Sequence, residues 1–178
     1  MHILLTRQLE DCSELIIRFK NLGHMVSHLP LLKIEKISYD GEPIKKCKSI
    51  IFTSANAIKF LDTKEINKKI KCFCVGISTE QKAKNAGFQN IISAEGNVRN
   101  LRELILQNFD PSEGNMVYVS GETISTDLNQ HLSNEGYSVK RLINYKTNHT
   151  QIFDKKFIEK LKIKVPDIVY IYSYNSAL

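Results

Sequence analysis

The chain has 178 residues, 42% of them hydrophobic and 25% charged, with a formal net charge of +6. That balance is typical of a folded protein of one ordinary domain or two small ones, and it excludes a disordered chain. No window holds the eighteen or more uncharged apolar residues of a membrane helix, and the opening Met1-His2-Ile3-Leu4-Leu5 is too short for a secretory signal.

Cys12, Cys47, Cys72 and Cys74 show no CxxC or zinc-ribbon spacing, so a reducing, cytoplasmic setting is expected. The lysines are scattered, as at Lys45-Lys46, Lys68-Lys69 and Lys155-Lys156, and no aromatic residues interleave them in a basic stripe. Nucleic acid is therefore not an expected partner, and neither is a membrane. The charge reads as solvated faces, or as a field that attracts a small polyanion.

Short β-branched runs alternate with helix-period segments, the pattern of a parallel sheet covered by helices. Ile3 to Thr6 predicts a strand, Leu9 to Leu22 a helix stopped by Gly23, and Met25 to Leu32 a second strand. Residues 33 to 48 are polar and read as a linker or irregular crossover. Strand Ser49 to Thr53 leads to Ser54, which is set to cap a helix through Ala57, Ile58, Phe60 and Leu61. Strand Cys72 to Val75 is followed by a helix ending at Gly87, and strand Asn90 to Ser93 by helix Leu101 to Phe109. Then come strand Met116 to Val119, helix Asp127 to Asn134 and strand Ser138 to Tyr145. A lysine-rich helix, Lys155 to Lys162, and a strand, Ile168 to Tyr172, close the series.

The chain repeats itself. Leu15, Gly23, Val26 and Leu29 stand opposite Leu128, Gly136, Val139 and Leu142 at one constant offset. Phe52-Thr53-Ser54-Ala55-Asn56-Ala57 matches Ile171-Tyr172-Ser173-Tyr174-Asn175-Ser176 at a slightly larger one. A complete second unit would end near residue 230 by this count, so the last part of the duplication is expected to be absent. The expected architecture is α/β, with two flavodoxin-like parallel-sheet domains joined by a two-stranded linker. Residues 1–34 and 150–178 would form a discontinuous, incomplete outer domain, and 47–145 an inserted one, with linkers at 35–46 and 146–149. The outer domain, with three strands, is expected to be the less stable.

In open parallel sheets ligands bind beyond the carboxyl ends of the strands, where helix N-termini offer unpaired N–H groups. Five turns fall there: Thr6-Arg7, Thr53-Ser54-Ala55-Asn56, Gly76-Ile77-Ser78-Thr79, Ser120-Gly121-Glu122 and Ser173-Tyr174-Asn175-Ser176. Small, hydroxylic and glycine residues let a ligand reach the backbone, and such N–H groups favour carboxylates and phosphates. Each Ser, Thr or Asn has an alternative role, as a simple helix cap. No P-loop, GxGxxG or HExxH spacing is present, and Cys72 and Cys74 have no second ligand pair nearby in sequence. The five histidines and Cys12 form no catalytic pairing.

In order, IIFTSANAIKFL, CVGISTEQKAKNAGF, VYVSG and GYSVKRLINYKT resemble uroporphyrinogen-III synthases, with Glu80 where that family usually carries alanine. The resemblance runs from Ile3 to Leu178 and leaves out the family's final quarter. It implies cyclisation of hydroxymethylbilane to uroporphyrinogen III, with loss of water and inversion of ring D, and no metal or organic cofactor. Ser54, Thr79 and Ser173 would line the substrate cleft and Tyr145 would assist departure of the hydroxyl. Arg7, Thr53, Asn56, Gly76, Ser78, Ser120, Gly121 and Asn175 would complete the binding surface. A monomer is expected, supplied by the enzyme that makes hydroxymethylbilane. The competing expectations are a non-catalytic flavodoxin-like binding module and an inactive truncated remnant.

Overall fold

A computed structural model describes residues 1–150 and 154–171. The chain divides into two compact units, Met1–Ile34 with Thr147–Leu178, and Glu35–Lys146.

The larger unit is built on strands β4 (Ser49–Phe52), β5 (Lys71–Val75), β6 (Asn90–Ala94), β7 (Met116–Gly121) and β8 (Val139–His149). Together with β3 (Leu32–Lys36) they lie in the order β3-β8-β7-β4-β5-β6, and the pairs between neighbours from β8 to β6 are all parallel. Alternation along the strands sends side chains to two faces. Ile50, Phe52, Cys72, Cys74, Val117 and Val119 pack with α2 (Glu42–Lys46), α3 (Ala55–Lys59) and α4 (Ile77–Asn85). Ile51, Phe73, Met116 and Tyr118 pack with α5 (Val98–Asn108) and α6 (Leu128–Asn134). Each fully buried Ile or Phe contributes roughly 2 kcal/mol of transfer free energy, so both layers are firmly held. The result is the three-layer parallel α/β class read from the sequence. The first of its five mutually parallel strands, β4, is central among them, whereas the flavodoxin order sets the first strand beside an edge.

The smaller unit has strands β1 (His2–Leu5), β2 (Met25–His28) and β9 (Ile168–Tyr170), ordered β2-β1-β9, with helices α1 (Leu9–Asn21) and α7 (Lys155–Ile163). Ile3, Leu5 and Cys12 form its buried cluster, against partly buried Leu15, Ile16, Phe19 and Val26. Helix α7 buries no residue, and Ile168, Val169 and Tyr170 are each two-fifths to one-half exposed.

The repeat is carried into the pairing register. Ile3 pairs with Val26 and Met116 with Val139, and each member of one pair is the repeat counterpart of a member of the other. Ile3 also pairs with Ile168 and Met116 with Ser49, at the offset that matches Phe52 to Ile171. The sheet β2-β1-β9 therefore reproduces β8-β7-β4 residue for residue. Gly23 and Gly136 end the equivalent helices with φ of 79° and 86°, a conformation that a side chain disfavours.

Two stretches differ from the sequence reading. Met25 to Leu32 is not one strand, because Pro30 has no N–H to continue a ladder. The chain instead bonds Leu29 N–H to the Leu5 carbonyl and Leu31 N–H to that of Thr6, then starts β3 at Leu32. Residues 33 to 48 are not irregular, since most of β3 and the single-turn helix α2, with Pro43 in its first turn, lie there. Strand β8 runs four residues beyond Tyr145 and pairs with β3.

Candidate functional site

The strand order sets four of the sequence-selected segments side by side in the larger unit. Tyr145 on β8, Ser120-Gly121 at the end of β7, Thr53-Ser54 after β4 and Gly76-Ile77-Ser78 after β5 occupy four consecutive strands. At about 4.8 Å per strand they form a row on the order of 15 Å long. Successive crossovers run from β4 to β5 to β6 and then return to the other side of β4 at β7. The Thr53 and Ser120 turns thus flank the point where the winding direction reverses, the place where sheets of this kind open a crevice.

Within that row the side chains have distinct tasks. Ser54 has extended backbone geometry and its Oγ accepts from Asn56 N–H at 3.2 Å, so it is the cap of α3. Thr53 Oγ1 and the Tyr118 hydroxyl share a hydrogen bond of 3.0 Å. Burial pushes the Tyr118 phenol above its ordinary value, against the opposing effect of that bond, so Tyr118 remains neutral. Gly76, with φ of 77°, opens α4 and its carbonyl accepts from Thr79 and Glu80 N–H, both at 3.1 Å. Ser78 is exposed, whereas Thr79 is only 4% exposed and faces into the unit.

Ser120 and Gly121 are buried. A Cβ built on Gly121 would stand 2.7 Å from both Cε2 and Cζ of Tyr145, so the ring rests directly on the glycine backbone. Glu122 N–H donates to the Tyr145 carbonyl at 2.9 Å, and a register shift between Ser120 and Gly121 brings Gly121 opposite Tyr145. The Tyr145 ring also neighbours Phe60, with centroids 6.3 Å apart. Among the described residues the Tyr145 hydroxyl has no hydrogen-bond partner.

Sequence reasoning missed Arg141. Its Nε donates to Ser120 Oγ at 2.8 Å, and its Nη2 to the carbonyls of Gly121 at 2.6 Å and Glu122 at 2.8 Å. A charged residue on a strand reads as solvent-facing, and only the turn 21 residues earlier gives it a task. A concave region of about 490 Å³ at the start of α5 and α6, lined by Asn97, Arg99, Arg102, Ser125, Thr126 and His131, was also not foreseen. Arg102 there is ion-paired with Glu135.

In the smaller unit Thr6 Oγ1 donates to the Tyr170 carbonyl at 2.9 Å, which ties β1 to β9. Arg7 follows at the exposed end of β1 and pairs with Asp11 at 3.1 Å. Ser173 and Asn175 lie outside the described residues. Among the described residues no cluster of three or more His, Cys, Asp or Glu could hold a metal ion, and no helix is long and apolar enough to cross a membrane.

The fold resembles that of a mutant uroporphyrinogen III synthase from the extremely thermophilic bacterium Thermus thermophilus, at a TM-score of 0.60 and 15% identity, over 95% of this chain and 71% of that one. It also resembles uroporphyrinogen-III synthetase from Helicobacter pylori 26695, at a TM-score of 0.62 and 16% identity, over 99% of this chain and 75% of that one. No curated protein matches the sequence. A family model, uroporphyrinogen-III synthase HemD, matches residues 13–177. With that match spanning most of its length, the chain belongs to the uroporphyrinogen-III synthase family, lyases of tetrapyrrole and heme biosynthesis.

Proposed function

We propose that this chain cyclises hydroxymethylbilane to uroporphyrinogen III, with loss of water and inversion of ring D. The observation that carries this reading is the row that sets Tyr145, within β8, beside the strand ends at Gly121, Ser54 and Gly76, on four adjacent parallel strands. The linear tetrapyrrole carries eight carboxylates and already cyclises by itself. Catalysis then consists mainly of enforcing one folded geometry and stabilising charge, which backbone N–H groups in small-residue turns suit.

In this reading the Tyr145 hydroxyl donates to the departing hydroxyl of the substrate, a general-acid contribution that leaves an azafulvene. A carbon of the terminal pyrrole then attacks the azafulvene to give a spiro intermediate, and closure inverts ring D. Arg7, Thr53, Ser54, Asn56, Gly76 and Ser78 belong to the proposed binding surface, with the buried Thr79, Ser120 and Gly121 as its supports. Ser173 and Asn175 belong to it too, from outside the described residues. The enzyme works as a cytoplasmic monomer without metal or organic cofactor, supplied by the enzyme that makes hydroxymethylbilane. Residues 1–34 and 150–178 would act as one domain of the pair and 47–145 as the other.

The test is a coupled assay that separates the type III from the type I isomer, because the uncatalysed reaction gives type I. Type III product above the blank supports the reading. Type I alone, formed at the blank's rate, ends it.

A further inference from the structure

Arg141 is a partly buried guanidinium whose hydrogen-bond partners are three neutral oxygens: Ser120 Oγ and the carbonyls of Gly121 and Glu122. Among the described residues no carboxylate pairs with it. Its planar fork spans a turn that a single hydrogen bond would leave free to rotate. That turn carries Gly121, on which the Tyr145 ring rests, and Glu122, whose N–H holds the Tyr145 carbonyl. The chain of contacts from Arg141 to Tyr145 therefore has no gap.

The internal repeat supplies a simpler contact at the equivalent positions. The counterpart of Arg141 is His28, and the counterpart of Ser120 is Arg7, at the offset that matches Val26 to Val139. His28 Nε2 lies 2.6 Å from the Arg7 carbonyl oxygen, so that nitrogen is the donor. In both halves the side chain at the equivalent position of the second strand reaches the equivalent residue after or at the end of the first, through the Arg7 carbonyl in one half and Ser120 Oγ in the other.

We propose that Arg141 is a positioning residue, which fixes the Ser120–Gly121–Glu122 turn and thereby the Tyr145 ring for the reaction step that Tyr145 serves. The role in chemistry rests on the function proposed above, while the link between Arg141 and the Tyr145 ring does not.

Two measurements on the present chain separate these. With ring-¹³C tyrosine labelling, the Tyr145 resonance is identified by its loss in Tyr145→Phe. It is expected to shift in Arg141→Met and, to a smaller extent, in Arg141→Lys, whose one ammonium cannot meet all three oxygens. A Tyr145 resonance unmoved in both variants overturns the link, whatever the activity. Far-UV circular dichroism checks folding, and Arg141→Lys serves as the reporter if Arg141→Met fails to fold.

In the isomer assay, Arg141→Met is expected to lower kcat about tenfold or more with little change in KM, since small misplacements of a reacting group are felt in turnover. In the Tyr145→Phe background the same change should add less than about twofold, because the two residues then act as one unit. Additive losses would overturn the positioning role. If the wild-type chain yields only type I product, the proposed function fails, and the resonance alone decides the link.

Discussion

The Tyr145 ring occupies the space that a side chain on Gly121 would need, with the nearest ring carbons 2.7 Å from the position of a Cβ. The φ of Gly121 is not positive, so its backbone would accept another residue and the constraint is purely steric. Gly121→Ala must displace either the ring or the turn that Arg141 holds. Such overpacking destabilises by about 1–3 kcal/mol. The loss should largely vanish when Tyr145 is also cut to Ala, since the clash partner is then gone. A double-mutant cycle on denaturant midpoints measures this, and additive losses would mean that the two residues do not meet.

Tyr145→Phe removes one hydroxyl and keeps the ring's contacts with Gly121 and Phe60. That hydroxyl has no partner among the described residues, so stability should stay within about 0.5 kcal/mol of the wild type. Turnover to the type III isomer should fall by roughly tenfold to a hundredfold if the hydroxyl assists the departing group. Unchanged turnover would remove Tyr145 from the mechanism.

The sequence made legible what depends on short-range pattern. The Ser54 cap, the Gly23 and Gly136 stops and the strand through Ile50, Ile51 and Phe52 are local properties, and the structure has them. The repeat went further, because its two offsets reappear as pairing registers. Missed features depend on contacts far apart in sequence. Strand β3 is too short and polar to read as a strand, and it is made by its pairing with β8. The sequence reading starts α5 at Leu101 rather than Val98, because the starting signal is a reciprocal cap between two asparagines, Asn97 and Asn100, and not part of the apolar stripe. The approach of Tyr145 to Gly121 needs a register shift that no local pattern announces.

Ser54 tests whether a strand-end hydroxyl caps, binds or does both. Ser54→Ala should cost about 1 kcal/mol of stability, since Asn56 N–H loses its acceptor. Ser54→Asn restores a capping oxygen and should recover that loss. If Ser54 also touches the substrate, KM in the isomer assay stays raised in Ser54→Asn. Recovery of both stability and KM would leave Ser54 as a cap alone.

The two units should differ in resistance to opening. Among the described residues the smaller unit's cluster holds three buried side chains, whereas the larger unit has clusters of fifteen and eleven. Amide hydrogen exchange should therefore be slowest in β4, β5 and β7 and faster in β1, β2 and β9. Equal protection of β1 and β7, which carry equivalent registers, would show that buried area does not set the difference.

Alkaline conditions should expose a further weakness in the larger unit. Cys47 is 6% exposed, its thiol donates to the Ile44 carbonyl at 3.1 Å, and burial pushes its pKa up to about 11 from the ordinary 9.0. In the unfolded chain the thiol ionises near 9, whereas in the folded chain it holds its proton until about 11. Between these values the folded state binds more protons, so stability falls as pH rises, while below 9 this group contributes no slope. The buried Tyr118 phenol, also pushed upward, acts in the same direction. Cys47→Ala removes the thiol, so its stability should decline less steeply than the wild type's between about pH 9 and pH 11. Denaturant midpoints measured across that window decide the point. Parallel curves for the two proteins would mean that Cys47 does not titrate with unfolding.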